Sequence, residues 1–380
     1  MKVLHIEMTS PFTPNAKYQE NCLIEEHAKQ GHDVVMYATC YMWKDGNVEY
    51  AQETREKLDN GVTLERIKYD FILNDYVSRK IRKVKGFYLK LEKERPDLIM
   101  VHNGQTAIVP DICKYVLEHP NVKLIADSHT DPLNSATNWI SKFFLHKLIY
   151  RRYMKMLYKH ARTFYCISPE VRRYISELYG FTDDKLELLP LGGDVLSDKT
   201  YCSYRKEKRA ELKLDDSIVH IVHSGKLTEE KHTADLLDAF SRLESNNVRL
   251  TIIGAAKGDV LRKIEDNEKM DSRISWLGWK SGDELIKYLC SGDIYVLPAD
   301  VSATVQSAMC CRCIPVVYPY EIYLSMNLND TCYAENADEL RKNLQLFLGD
   351  SELALRAKDI SFNYAVENLD YFAQAAMLLR

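Results

Sequence analysis

Short apolar runs, each followed by a stretch of helical periodicity, recur along both halves of this chain. In the first half the runs fall at residues 3–6, 34–38, 62–67, 98–101, 124–126, 163–167 and 186–189. In the second half they fall at 219–223, 249–253, 274–277, 294–297 and 314–317. Several are apolar throughout, which suits strands covered on both faces rather than half-exposed antiparallel ones. Strand–helix alternation of this kind predicts an α/β chain with parallel sheets flanked by helices. At 380 residues the chain exceeds one typical core, so two Rossmann-like domains are expected. The seam is placed near Pro190-Leu191-Gly192-Gly193-Asp194 and the polar stretch 197–208, which divides the chain into 1–192 and 193–361.

The composition, 46% hydrophobic and 28% charged, is that of an ordinary soluble globular protein. A net charge of −4 gives no global reason to expect a nucleic-acid partner. Ten cysteines without framework spacing point to reduced thiols and a cytoplasmic location. Their one cluster, Cys310-Cys311-Arg312-Cys313, lacks the second pair that a zinc site needs, so no metal is expected. No stretch approaches the roughly 18 apolar residues of a membrane span, and the opening apolar stretch 1–8 is too short for a secretory signal. Membrane contact would therefore be peripheral. Two basic, aromatic segments suit it: Arg79-Lys80-Ile81-Arg82-Lys83-Val84-Lys85, and residues 142–162 with Phe143, Phe144, Tyr150, Arg151, Arg152 and Tyr153. On helices they would fit the anionic inner face of a plasma membrane or a lipid-linked diphosphate; the alternative is an ordinary solvated face.

The segment Gly225-Lys226-Leu227-Thr228-Glu229-Glu230-Lys231-His232 lies between a strand-like run and a helical stretch with Leu236, Leu237, Phe240 and Leu243 on one face. It therefore leaves the C-terminal end of a strand and opens a helix, where open α/β sheets bind ligands and where helix N-termini favour anions. Lys226 and Lys231, with a glycine that lets the backbone approach, suit a diphosphate; a basic surface turn is the competing reading. Ser302 or Thr304 is placed to cap a helix starting near Ala303, whose first N–H groups are then available to an anion.

With these residues placed, the chain resembles the retaining glycosyltransferases of family 4, which have the GT-B fold, over essentially its whole length. Tyr18-Gln19-Glu20-Asn21 followed by Gly31-His32-Asp33-Val34 is similar to the opening of members that build bacterial surface polysaccharides. Asp97-Leu98-Ile99-Met100-Val101-His102 and Asp127-Ser128-His129-Thr130-Asp131 with Asn134-Ser135 resemble two further family segments. Tyr179-Gly180, Leu189 to Asp194, Gly225-Lys226 with Lys231, Gly254, Leu277-Gly278-Trp279 and Asp293 follow in the family's order. The usual glutamate pair of the donor domain is missing. The region reads Pro298-Ala299-Asp300-Val301-Ser302-Ala303-Thr304-Val305-Gln306-Ser307, similar to the "S-A-T-x-Q" of some branches.

The resemblance implies two Rossmann-like domains facing across a cleft, with a C-terminal helix of about 362–380 returning to the first. It implies sugar transfer from a UDP- or GDP-linked donor to a glycan or lipid-linked glycan, with retention and with neither metal nor other cofactor. Donor contacts would come from Gly225, Lys226, Lys231, Gly254, Trp279, Ser302, Ala303, Thr304 and Gln306. His129 and Asp131, with the two lysines, would be catalytic, and Tyr18, Gln19, Glu20, His102 and Asn103 would meet the acceptor. The competing reading is a weak or inactive GT-B protein that binds a nucleotide sugar as a regulator or assembly partner.

Overall fold

The structure, a computed structural model, describes residues 1–44, 47–130, 146 and 149–380. The chain forms two compact units, Met1–Pro190 with Gln374–Arg380, and Leu191–Ala373. The first unit contains strands β1 (Lys2–Glu7), β2 (Asp33–Thr39), β3 (Tyr41–Lys44), β4 (Asn47–Tyr50), β5 (Arg55–Lys57), β6 (Thr63–Ile67), β7 (Leu98–His102), β8 (Lys123–Ser128), β9 (Thr163–Cys166) and β10 (Leu186–Leu188). Its main sheet runs β10-β9-β8-β7-β1-β2-β6-β5. Every pairing in it is parallel except β5 on β6. Val3 pairs with both Val34 and Leu98, and all three are at most 1% exposed. Such burial on both faces explains why these strands are apolar without alternation. The order reverses between β1 and β7, so the crevice at that switch point lies beyond Glu7 and His102.

The second unit holds β11 (Val219–Ser224), β12 (Val248–Ile253), β13 (Ile274–Trp276), β14 (Ile294–Leu297) and β15 (Ile314–Val317). They form one parallel sheet ordered β13-β12-β11-β14-β15. Its switch point falls between β11 and β14, which brings Gly225 and the loop after Leu297 to the same crevice. Cys310, Cys311 and Cys313 pack in this unit's core.

The expected single helix over 362–380 is not what forms. The helix Ser351–Tyr364 runs into a π-helical turn, Ala365–Leu369, and stops at extended Asp370; a new helix spans Tyr371–Leu378. Ala365 and Leu369 belong to the second unit's core, and Tyr371 N–H donates to Gly193 O. Only residues 374–380 join the first unit, where Lys123 Nζ donates to Leu379 O at 3.0 Å and Arg380 O at 3.1 Å. No helix among the described residues is long and apolar enough to cross a membrane.

Candidate active site

In the second unit, three glycines crowd the strand ends. Gly225 N–H donates to Ile253 O, and Gly254 N–H donates to Gly278 O. Gly225 and Gly254 have φ of +144° and +148°, a region open to glycine and costly for other residues. A Cβ on Gly254 would lie 1.9 Å from Gly225 O, so no side chain fits there. The result is a shelf of bare main chain at the C-terminal edge of the sheet.

Lys231 lies in the turn Glu229–Lys231 that precedes the helix Thr233–Ser241. That helix is tied to its strand by His223, whose Nε2 is 2.9 Å from Thr233 Oγ1 and whose Nδ1 is 2.9 Å from Val296 O. Burial pushes His223 down to about 4. It is therefore neutral, with Nδ1–H donating to the carbonyl and Nε2 accepting from the threonine hydroxyl. Lys231 is buried under the shelf, and its Nζ is 2.9 Å from Asp300 Oδ2. Lys226 is exposed, so the two lysines of the motif stand in different surroundings. Asp300, not assigned a role from sequence, adopts φ +72°. It meets Lys231 because β11 and β14 are neighbours, and nothing in the spacing from residue 231 to residue 300 signals that.

The loop after Asp300 departs from expectation. Ser302 caps the helix Ala303–Cys310, as its residue type suggested, but its own N–H donates to Tyr323 Oη at 3.0 Å. Thr304 N–H donates to Ser302 Oγ at 3.4 Å. Of the three main-chain groups expected to face a phosphate, Ala303 N–H alone has no intramolecular acceptor among the described residues. Gln306 is fully buried. With its amide oriented to suit its neighbours, the nitrogen donates to Ser302 O at 2.8 Å and Ala303 O at 3.3 Å. It thus closes the first helical turn instead of reaching a ligand. Trp279 follows Gly278 and is 71% exposed, leaving its ring open for stacking. Trp276 packs inward, with Nε1 donating to Gly254 O at 3.0 Å.

In the first unit, the ends of β1, β7 and β8 gather Glu7, His102, Asp127 and His129 near Glu20 at the start of the helix Gln19–Lys29. Asn103 (φ +58°) turns the chain after β7. Its N–H donates to Asp127 O, its Oδ1 accepts His129 N–H at 2.9 Å, and His129 is thereby held over the strand ends. His129 Nε2 lies 3.8 Å from Asp127 Oδ2. Burial works to lower His129, but Asp127 beside it wins and raises it. Burial, then Glu20, raise Glu7 to about 7, although it accepts from Thr9 N, Thr9 Oγ1 and Ser10 N.

Among the residues expected to meet an acceptor, Tyr18 is half exposed, while His102 and Gln19 are buried. Gln19 departs from its expected role because its amide ties down the chain, donating to Pro190 O at 3.0 Å. Asp131 lies outside the described residues, as do Asn134, Ser135, Phe143 and Phe144. Asp127 and Glu7 were readable as acids closing apolar strands, but sequence alone assigned neither a role. Beside Thr9 and Ser10 is a pocket of about 230 Å³ lined by Tyr41, Tyr69, Tyr76, Arg79, Lys80 and Arg82. The Arg79 guanidinium lies 4.5 Å from the Tyr41 ring centre. Burial and then Arg82 and Arg79 lower the Lys80 ammonium; the cations crowd one another.

Two α/β units, each built on a mainly parallel sheet and one with a glycine shelf over a buried lysine, define a two-domain α/β architecture. Comparison supplies the family. The Glycosyltransferase Family 4 model matches residues 22–195 and the Glycosyl transferases group 1 model matches residues 204–363; the chain belongs to the GT-B glycosyltransferases of family 4. A tRNA-queuosine alpha-mannosyltransferase from Drosophila melanogaster is 29% identical over 132 residues, 32% of this chain and 35% of that protein. This chain thus matches about a third of that relative's length. Among solved structures, a glycosyltransferase from Rickettsia africae is 14% identical, with a TM-score of 0.67, over 100% of this chain and 96% of that one. Anabaena Alr3699/HepE in complex with UDP is 12% identical, with a TM-score of 0.65, over 99% and 98%. At such identities the likeness concerns the fold.

Proposed function

We propose that this protein moves a sugar from a UDP- or GDP-linked donor to a glycan or lipid-linked glycan that carries negative charge, with retention at the transferred carbon, in surface polysaccharide assembly. The observation that carries the reading is Lys231, buried beneath the Gly225–Gly254 shelf at the switch point of the second sheet. A diphosphate on the shelf replaces Asp300 as the partner of Lys231 and accepts from Ala303 N–H, with Lys226 at the exposed rim and Trp279 open to the base. Departure of a nucleoside diphosphate develops negative charge, and oriented cations and N–H groups stabilise it. If the leaving phosphate itself takes the acceptor's proton, the acceptor attacks on the leaving-group face and configuration is retained. No metal or other cofactor is needed for that chemistry.

The acceptor belongs to the first unit, where His129 orients the attacking hydroxyl and Glu20, with Tyr18 and Asn103, lines its approach. The Arg79–Lys80–Arg82 pocket supports an anionic acceptor. The same cations, with the basic helix Arg151–His160, suit peripheral contact with an anionic cytoplasmic membrane face.

The test is thermal denaturation with UDP, GDP and their sugar conjugates. One nucleoside diphosphate is expected to raise Tm in the wild type and not in Lys231→Ala. No response to any of them overturns the reading. The absence of the donor domain's usual glutamate pair from residues 298–309 favours the alternative of a binding protein with little turnover. Stabilisation by a nucleotide sugar with no release of nucleoside diphosphate, even with acceptor glycans supplied, would select it.

A further inference from the structure

Four buried contacts in the first unit link a main-chain carbonyl to a carboxylate through three imidazoles. His27 Nε2 is 2.9 Å from Ala375 O, and His27 Nδ1 is 3.0 Å from His5 Nε2. His5 Nδ1 is 2.9 Å from His102 Nε2, and His102 Nδ1 is 2.7 Å from Asp127 Oδ2. The three rings are at most 1% exposed, so water does not complete any contact.

Both ends of this chain of contacts are acceptors when Asp127 is ionised. A neutral imidazole carries one N–H, so three neutral rings supply three protons for four contacts. One contact would then oppose two lone pairs in the core. The Ala375 carbonyl can only accept, so His27 carries a proton on Nε2. The one charged ring is assigned to His102, the only one of the three that touches the Asp127 carboxylate, because an adjacent opposite charge favours the charged form. With His27 and His5 neutral, His27 accepts at Nδ1, His5 donates from Nε2 and accepts at Nδ1, and His102 donates from Nε2. The contact between His102 Nδ1 and Asp127 is left to hold the fourth proton.

We propose that His27, His5 and His102 form a proton-counted chain that keeps His102 an imidazolium against the Asp127 carboxylate, and through it positions His129 from the C-terminal segment 374–380. The groups around it agree. Burial opposes charge on His102, yet Asp127, then Glu20 and Glu7, carry it up to about 9. Burial, with His27 and His102, holds His5 well below its ordinary range. Burial also takes His27 down to about 4, with His32 and His102 adding to the effect. Asp127 stays well below the usual carboxylate range, because His102 and His129 outweigh its burial. His129 shares that carboxylate and also faces Glu20, so the charge it feels depends on whether His102 is protonated. His129 matters to sugar transfer only under the function proposed above; the proton count stands without it.

The experiment is long-range 1H–15N NMR of the histidine rings in the full, unliganded chain. At pH 7, His102 is expected to be protonated on both nitrogens, and His5 and His27 on Nε2 alone. A neutral His102, or His27 protonated on Nδ1, overturns the proposal in the wild type, with no variant needed. The positioning part is read from His5→Phe, which removes the acceptor for His102 Nε2. His102 should become neutral, and the His129 midpoint should rise by about 1 unit as Asp127 loses its cation. His5→Gln, whose amide both donates and accepts, should restore both signals. An unchanged His129 midpoint beside a neutral His102 overturns the positioning role. Should His5→Phe fail to fold, His27→Gln is read instead. Its amide can accept from His5 and donate to Ala375 O, so the doubly protonated His102 should persist, and its loss overturns the count.

Discussion

At Gly254 an added methyl group would lie 1.9 Å from Gly225 O and 3.0 Å from Gly225 C, and neither main-chain atom can swing aside. Gly254→Ala is expected to cost about 3 kcal/mol or more, read as a lower urea midpoint for the second unit. Gly225→Ala meets only the movable end of Lys231, at 3.4 Å. Its φ of +144° still strains an alanine, so Gly225→Ala should lose some stability, less than Gly254→Ala, and should also weaken nucleoside diphosphate binding. Asp300→Asn removes the carboxylate that competes for Lys231 and is expected to tighten UDP or GDP binding, by titration calorimetry, while Lys231→Ala abolishes it. Weaker binding in Asp300→Asn would mean that Asp300 touches the donor directly. Gly225, Lys231 and Gly254 were legible because their roles follow from a local strand–turn–helix pattern. Asp300, Asp127 and His5 were not, because their partners lie 25 to 97 residues away and meet only when particular strands become neighbours.

At the scale of elements, the helix Ala303–Cys310 begins with Ser302 N–H and Thr304 N–H already bonded, which leaves Ala303 as the exposed donor. Ala303→Pro removes that N–H at a helix position where proline is otherwise tolerated. It should fold with an unchanged Tm and lose donor affinity; normal affinity would place the phosphates elsewhere. Ser302→Ala should cost only its cap, about 1 kcal/mol of stability. All twelve predicted strand runs formed within a residue or two of their expected limits. Their core burial makes the apolar pattern strong. β4 and β5 escaped notice because Asn47–Tyr50 and Arg55–Lys57 are exposed throughout. With no buried face, such strands leave no periodic mark on the sequence. The break at Asp370 was hidden for the opposite reason, since apolar residues run on both sides of it and serve different units.

For the whole molecule, buried histidines set the response to acid. His27, His146, His220 and His223 are each lowered by burial from 6.5 to about 4. Their contribution is present above 6.5 and is lost as pH falls from 6.5 toward 4. Each removes up to about 1.4 kcal/mol per pH unit in that window. Glu7, raised from 4.5 to about 7, acts the other way between those values, but it is one group against four. His102, raised to about 9, contributes stability below 6.5 that is lost as pH rises through 9. Urea unfolding across pH should therefore peak near neutrality, with a steep acid limb and a shallow alkaline one. A flat profile from pH 5 to 7 would show that these rings are not buried neutral.

The first unit is not continuous in the chain. The carbonyl that His27 addresses and the two that Lys123 addresses belong to residues 374–380, separated from residue 190 by the entire second unit. A ribosome making this protein delivers the first sheet early and its closing piece only after the second unit. The first unit therefore waits, with His27 and Lys123 unanswered, while the second can complete its own core. Translation order makes the N-terminal half the later of the two to finish folding.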